Sequence, residues 1–294
     1  MRFAVTAQDS HYRRHLAPIV GELETRGHVR DNQADWVLTA GRLDALRLGR
    51  KGKSPILVEH GAGQTYMLNG QRVDASGVDP DPNVKLYLGP NAGVVDFMRG
   101  QLPGAQCEVV GSPALEQLSG QMRPASERGL VVFATHWQSG LPVKEAQTSW
   151  PWSLPIAKAL HEEYGDRFRM HAHPRIYSRV QSQSNRKRFH PTFADDWDLL
   201  APDTTVLVCD NSTIIWEAAT LGIPVVLIDP PAWRDAEHGL RFGDEAARFR
   251  RITDPAHAVD TVRRARLVDV SVFDIVSGAT DRAADLIVHS VNRR

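Results

Sequence analysis

The chain has 294 residues, with 35 Lys+Arg against 35 Asp+Glu and 42% hydrophobic residues. At about 100–200 residues per domain the length suits two domains; the composition excludes wholesale disorder, and the zero net charge excludes a generally basic nucleic-acid coat. Cys107 and Cys209 alone exclude a disulfide framework or a Cys-rich zinc site, while the lack of a long apolar run or secretory leader points to a cytoplasmic chain without a membrane span.

Short apolar runs alternate with helical patterns almost from end to end. In the first series, strands are expected at Phe3–Ala7, Asp35–Thr39, Ile56–Glu59, Lys85–Leu88 and Cys107–Val110, with helices over His11–Thr25 and Ala92–Arg99. After the polar stretch Gln121–Arg128 come strands at Leu130–Ala134, Phe168–Ala172, Thr205–Cys209 and Pro224–Ile228. Their helices are expected over Leu154–Tyr164, Ser212–Leu221, Ala256–Arg266 and Ala279–Asn292. Short apolar runs bounded by Gly and Pro suit buried parallel strands. Strand–helix alternation implies right-handed βαβ units. The expected fold class is α/β: two Rossmann-like, doubly wound domains facing a cleft, at residues 1–122 and 123–294. The last helix is free to pack back on the first domain.

In such sheets ligands bind beyond the carboxyl ends of strands, so the residues after each strand are the candidates. The most specific stretch is Val206–Ile228, VLVCDNSTIIWEAATLGIPVVLI. Asp210, Asn211, Ser212 and Thr213 follow the strand and open a helix, a place where backbone amides meet phosphate. Ser212 and Thr213 are small donors. Glu217, four residues after Thr213, shares its face and suits two ribose hydroxyls. The same residues also suit a plain capped helix, with Asn211 as the cap and Glu217 solvated.

The run Cys209–Ala218, followed by Leu221-Gly222-Ile223-Pro224-Val225, resembles the donor-site signature of GT-B transferases. It is most similar to the CDP-glycerol glycerophosphotransferases of teichoic acid synthesis, with their S-D-Y-S-S-V-x-F-E-A pattern. It is also similar to the UDP-N-acetylglucosamine 2-epimerases, with D-S-G-G-x-x-E-E-A and G-x-P. The resemblance implies diphosphate contacts for Ser212 and Thr213 and a ribose contact for Glu217. Other segments agree in order. Glu59-His60-Gly61-Ala62-Gly63 resembles the H-G-T-P segment, and Leu88-Gly89-Pro90 with Val110-Gly111-Ser112-Pro113 resembles the stretch closing the first domain. Ala134-Thr135-His136-Trp137 stands at the P-T-W-R segment, and His171-Ala172-His173-Pro174-Arg175 at K-P-H-P-R. The chain departs from these patterns where Gly-Ala-Gly follows His60, Gln138 follows Trp137, and His171 replaces the lysine.

His60 is the candidate catalytic base. It stands at a strand end before Gly61 and Gly63, where backbone leaves room for substrate. Its unperturbed pKa of about 6.5 suits removing a hydroxyl proton. Glu59 or another carboxylate can orient its ring; the resemblance implies the same base role. The alternative is a strand-end histidine bonded to a carbonyl. His173 and Arg175 are candidate ligands of the donor phosphates, with Arg175 able to fork onto one. No patterned third ligand turns His171 and His173 into a zinc site, so neither metal nor cofactor is expected. Asp210, His136 and Trp137 are further candidate donor or acceptor contacts, with Gly61 and Gly63.

Two features remain. Arg167–His190 holds Arg167, Arg169, Arg175, Arg179, Arg186, Lys187 and Arg188 and no acid. This strip suits either a solvated face or a polyanionic acceptor such as DNA, with Gln181–Asn185 read as a flexible loop. Trp137, Trp150 and Trp152 lie in a loop segment suited to a lid or stacking surface, or to packing on the domain.

The expected function is a metal-independent, inverting GT-B-type glycosyltransferase or glycerophosphotransferase. Its donor would be a UDP-type nucleotide sugar or CDP-glycerol, and its acceptor a hydroxyl of unknown parent, with phage-type DNA modification as a sub-case. The alternatives are a nucleotide-sugar 2-epimerase-like isomerase, for which Asp96 and Glu116 are candidate carboxylates, and a non-catalytic nucleotide- or nucleic-acid-binding module.

Overall fold

The computed structural model describes residues 1–7, 12–63, 65–68, 71–74, 83–136, 147–173, 176–194, 200–234, 243–270, 272–274 and 277–293. The chain divides into two compact units. One comprises Met1–Gln64, Ser76–Gly120 and Ser271–Arg294; the other comprises Thr65–Ala75 and Gln121–Val270.

The first unit contains β1 (Arg2–Val5), α1 (Arg13–Thr25), β2 (Val29–Arg30), β3 (Trp36–Thr39), α2 (Arg42–Arg50) and β4 (Ser54–Val58). A two-stranded antiparallel hairpin, β5 (Thr65–Leu68) and β6 (Gln71–Asp74), belongs to the second unit. The first unit resumes with β7 (Leu86–Gly89), α3 (Ala92–Gln101), β8 (Gln106–Val109) and α4 (Pro113–Ser119). Its sheet runs β2-β1-β3-β4-β7-β8, with every pairing parallel.

Side-chain alternation makes this sheet doubly wound. Ile56, Val58, Leu86 and Leu88 join Leu16, Ile19 and Leu23 of α1 in one core. Leu57 and Tyr87, pointing the other way, join Ala45 of α2 and Val94, Val95 and Met98 of α3 in another.

The second unit contains β9 (Leu130–Thr135), α5 (Leu154–Tyr164), β10 (Phe168–Ala172), α6 (Tyr177–Arg186), β11 (Thr204–Cys209), α7 (Ile214–Thr220) and β12 (Val225–Ile228). It continues with α8 (Pro231–Arg234), β13 (Arg250–Ile252) and α9 (Ala258–Arg263). The parallel sheet runs β10-β9-β11-β12-β13. Val131, Phe133, Met170 and Val208 pack against Ile156 and Leu160 of α5, Val180 of α6 and Val262 of α9.

The final helix, α10 (Ala279–Asn292), belongs to the first unit, where Ala283, Ala284 and Ile287 enter the α1 core. Its N-cap, Gly278, has φ +78° and no side-chain cap of its own. Glu116 of α4 supplies one: its carboxylate accepts the amides of Gly278 and, at 2.9 Å, of Thr280, and the Thr280 hydroxyl at 2.6 Å. No helix among the described residues is long and apolar enough to cross a membrane.

Three local expectations are corrected. The stretch 212–221 is helical only from Ile214, because Ser212 and Thr213 form a turn in which the Ser212 amide bonds back to the Asp210 carbonyl. Gln181–Asn185 is helix rather than flexible loop. Buried Val180 anchors α6, the Ser184 hydroxyl donates to the Val180 carbonyl, and the Trp150 indole donates to Gln183. Trp150 is therefore a core residue and not an open stacking surface, and Trp152 packs partly buried beside it.

Candidate functional site

In the second unit, three neighbouring strands deliver polar residues at their carboxyl ends. Thr135 pairs with Ala172, and Cys209 with Ala134. The next residues of these strands are therefore adjacent: His173 after β10, His136 after β9 and Asp210 after β11. The rings of His136 and His173 lie 6.4 Å apart. His136 is buried and His173 half-buried.

Asp210 is wholly buried and turned toward protein amides. One carboxylate oxygen accepts the His136 amide at 2.6 Å, and the other the Ser149 amide at 2.9 Å. Desolvation outweighs these bonds and pushes its pKa up to about 6. Asp210 thus anchors the residues around it. The sequence reading missed its partner Ser149, whose hydroxyl donates to Ser153.

The turn after Asp210 leaves Ser212 and Thr213 half-buried, while Asn211 and Glu217 are buried. Thr213 is the N-cap of α7, and its side chain makes no capping hydrogen bond. The cap assigned to Asn211 in the plain-helix alternative falls at Thr213 instead. Glu217 is buried, not a solvated charge, in a helix whose Trp216 is wholly enclosed against Phe249.

His171 is buried, with its Nδ1 3.4 Å from the Ala194 carbonyl. Among the described residues, no group of three or more His, Cys, Asp or Glu is placed to hold a metal ion. Arg175 and Trp137 lie outside the described residues. Arg179, Arg186, Lys187 and Arg188 are exposed on and just after α6. Both cysteines are buried, and burial raises both thiol pKa values, that of Cys107 to about 11.

In the first unit, His60 follows β4 by two residues. Its side chain is 20% exposed, and its Nδ1 lies 3.6 Å from a Glu59 carboxylate oxygen. The rings of Tyr12 and His15 stand 4.9 and 5.8 Å from its own. The Arg14 guanidinium donates to Nε2 of His15 at 3.4 Å. The other Glu59 oxygen accepts the Tyr87 phenol at 2.8 Å. Gly61 and Gly63 have φ +67° and +107°. A Cβ on Gly63 would also meet Val94 at 2.7 Å, so this turn requires glycine twice over.

Tyr12, His15 and Tyr87 were not singled out in the sequence. Tyr12 and His15, three apart at the start of a helix, share a face. Tyr87 is the one polar-tipped residue in an otherwise apolar strand. Of the two carboxylates considered for an isomerase, Asp96 pairs with Arg99 on α3 and Glu116 caps α10.

No protein-family model matches the chain, and no curated protein matches it in sequence. Solved structures do. The wall teichoic acid polymerase TagF, soaked with CDPG, is similar over 99% of this chain and 89% of its own, with a TM-score of 0.66 at 12% identity. A co-structure of S. aureus MnaA with UDP gives a TM-score of 0.57 at 13% identity, over 99% of this chain and 96% of that one. The UDP-N-acetylglucosamine 2-epimerase from Rickettsia bellii gives 0.56 at 14% identity, with the same coverage. At these identities the likeness is one of fold: two Rossmann-like α/β domains of GT-B type.

Proposed function

We propose that the chain is a GT-B-type transferase that moves a glycosyl or glycerophosphate group from a nucleotide-diphosphate donor to an acceptor hydroxyl. The observation that carries this reading is the matched polar equipment at two strand-end sets. His60 with its carboxylate partner follows β4, and His136, His173, Ser212 and Thr213 follow β9, β10 and β11, with Glu217 on the adjoining α7. The fold likeness to TagF, and to a protein seen with UDP, supports a nucleotide-linked donor.

In this reading the second unit holds the donor. Ser212, Thr213 and the backbone at Asn211 contact the diphosphate, and Glu217 accepts the ribose hydroxyls. His173 and Arg175 offset the charge that builds on the leaving group, in place of a metal. The first unit supplies the base. The acceptor oxygen attacks the transferred centre as His60 takes its proton, and the bond to the departing nucleotide breaks with its electron pair. For a sugar donor the anomeric configuration inverts.

The experiment is a thermal-shift screen of the intact chain against UDP-, CDP-, GDP- and TDP-sugars and CDP-glycerol. One donor class should raise Tm by mass action, and product analysis with candidate acceptors then identifies the transferred group. No shift with any donor overturns the reading. Isomerisation of a UDP-sugar without acceptor would favour the epimerase alternative. The exposed cations after α6 make a polyanionic acceptor such as DNA the sub-case to include, recognised by steep salt dependence.

A further inference from the structure

The register of β4 against β7 sets up a relationship that neither strand has alone. Leu57 stands opposite Tyr87, so Tyr87 shares a sheet face with Leu57 and with Glu59, two residues further on. The Glu59 amide donates to the Leu88 carbonyl at 2.9 Å, carrying the pairing past the end of β4. Glu59 is thereby a diagonal neighbour of Tyr87, within reach of a long side chain. The tyrosine ring is fully buried. It passes beneath Gly89, where any Cβ would lie 2.9 Å from its Cε1. Gly89 therefore leaves the room through which the phenol arrives at Glu59.

The carboxylate is held from both sides. Oε2 accepts the Tyr87 hydroxyl at 2.8 Å. Oε1 accepts the His60 backbone amide at 3.2 Å and faces His60 Nδ1 at 3.6 Å. The rings of Tyr12, the N-cap of α1, and of His15 within α1 also pack against the imidazole. Arg14 Nε donates to Nε2 of His15 at 3.4 Å.

We infer that Glu59 is the positioning residue of His60 and that Tyr87 fixes Glu59. This Tyr87–Glu59–His60 relay keeps the imidazole proton on Nδ1 and leaves Nε2 as the atom that accepts a proton. The geometry of the relay stands on its own, but its use in catalysis rests on the transfer reading. In that step the acceptor O–H breaks, the proton moves to Nε2, and the imidazolium is stabilised by Glu59, which stays ionised.

The test is nuclear magnetic resonance of the full chain labelled at histidine, with His60 assigned by loss of its signal in His60→Gln. Nitrogen shifts of the neutral ring should report the Nδ1–H tautomer. Glu59→Gln should lower the His60 titration midpoint by roughly one pH unit, and Glu59→Asp, which keeps the charge, should recover part of that shift. Tyr87→Phe should move the midpoint the opposite way, upward by a few tenths of a unit, because a carboxylate without the phenol is a stronger partner for the ring. That variant keeps the buried ring and serves if Glu59→Gln does not fold.

An Nε2–H tautomer in the wild type, an unmoved midpoint in Glu59→Gln, or equal displacement by Glu59→Gln and Glu59→Asp would each overturn the relay. An unmoved or lowered midpoint in Tyr87→Phe would do the same. These outcomes are independent of the donor screen. A protein with the expected titrations but no donor-induced Tm shift would sink the transfer reading alone.

Discussion

The Asp210 carboxylate holds the amide of Ser149, 61 residues earlier in the chain, at 2.9 Å, and with its second oxygen holds His136 at the near end of the same connection. One buried acid thus fixes both ends of the β9–α5 segment to the end of β11. Desolvation is the largest influence on it and raises its pKa from 3.8 to about 6, against the two amide bonds. The sign follows from linkage. Between those values the folded state binds more protons than the unfolded one, so this group's stabilisation is complete below about 3.8 and is lost as pH rises through about 6. Urea denaturation across pH 4 to 7 should show that downward contribution. Asp210→Asn should abolish it while costing about 1–3 kcal/mol, because its NH₂ faces a donor amide. An unchanged pH profile in Asp210→Asn would contradict the assignment.

Glu116 gives the opposite dependence. Burial pushes its pKa up, but the hydrogen bonds from Thr280, Gly278 and Ala279 together hold it below the ordinary carboxylate range. Its stabilisation is present above the unfolded pKa and fades as pH falls through the lowered folded value. Because Glu116 caps a helix 162 residues away in sequence, Glu116→Ala should loosen α10 at its N-terminal turn. The expected loss is about 1–2 kcal/mol at pH 7, with faster amide exchange over residues 278–283. Exchange unchanged there would show that the cap is dispensable.

The two sheets were legible because buried parallel strands must be apolar on both faces, which gave continuous runs such as Ile56–Val58 and Val206–Cys209. Leu154–Tyr164, Phe168–Ala172 and Ala279–Asn292 have the boundaries expected from their patterns. α6 was not legible: its sequence, YSRVQSQSNR, is polar nearly throughout, and it is helical because Val180 and Ser184 are buried against the sheet. The candidate site was legible one residue type at a time. His60, His136 and Asp210 announce themselves after strands, but Tyr87 and Ser149 enter only through register and long-range hydrogen bonding, which no local spacing records.

Donor recognition in the proposed function makes Glu217 and Ser212 separable from the fold. Glu217 is buried on α7, so Glu217→Gln preserves its shape while removing the charge proposed to accept ribose hydroxyls. Donor affinity should fall about tenfold, equivalent to about 1.4 kcal/mol. The half-buried hydroxyl of Ser212 tolerates removal, and Ser212→Ala should weaken the diphosphate contact with Tm of the unliganded protein nearly unchanged. Calorimetric titration with the donor found in the screen measures both. Full affinity in both variants would remove the β11–α7 turn as the donor site.

His60→Ala separates chemistry from donor binding. His60 belongs to the first unit, and the residues proposed to hold the donor belong to the second. The variant should therefore keep the donor-induced Tm shift while losing turnover by about 10²–10⁴-fold, the usual worth of a positioned base. The imidazole packs against Tyr12 and His15 at 4.9 and 5.8 Å, so its removal also opens a gap beside α1. His60→Gln, which fills more of that space, controls for the packing loss. If both variants turn over at the wild-type rate, the proton goes elsewhere; if only His60→Ala is impaired, the ring matters as packing and not as a base.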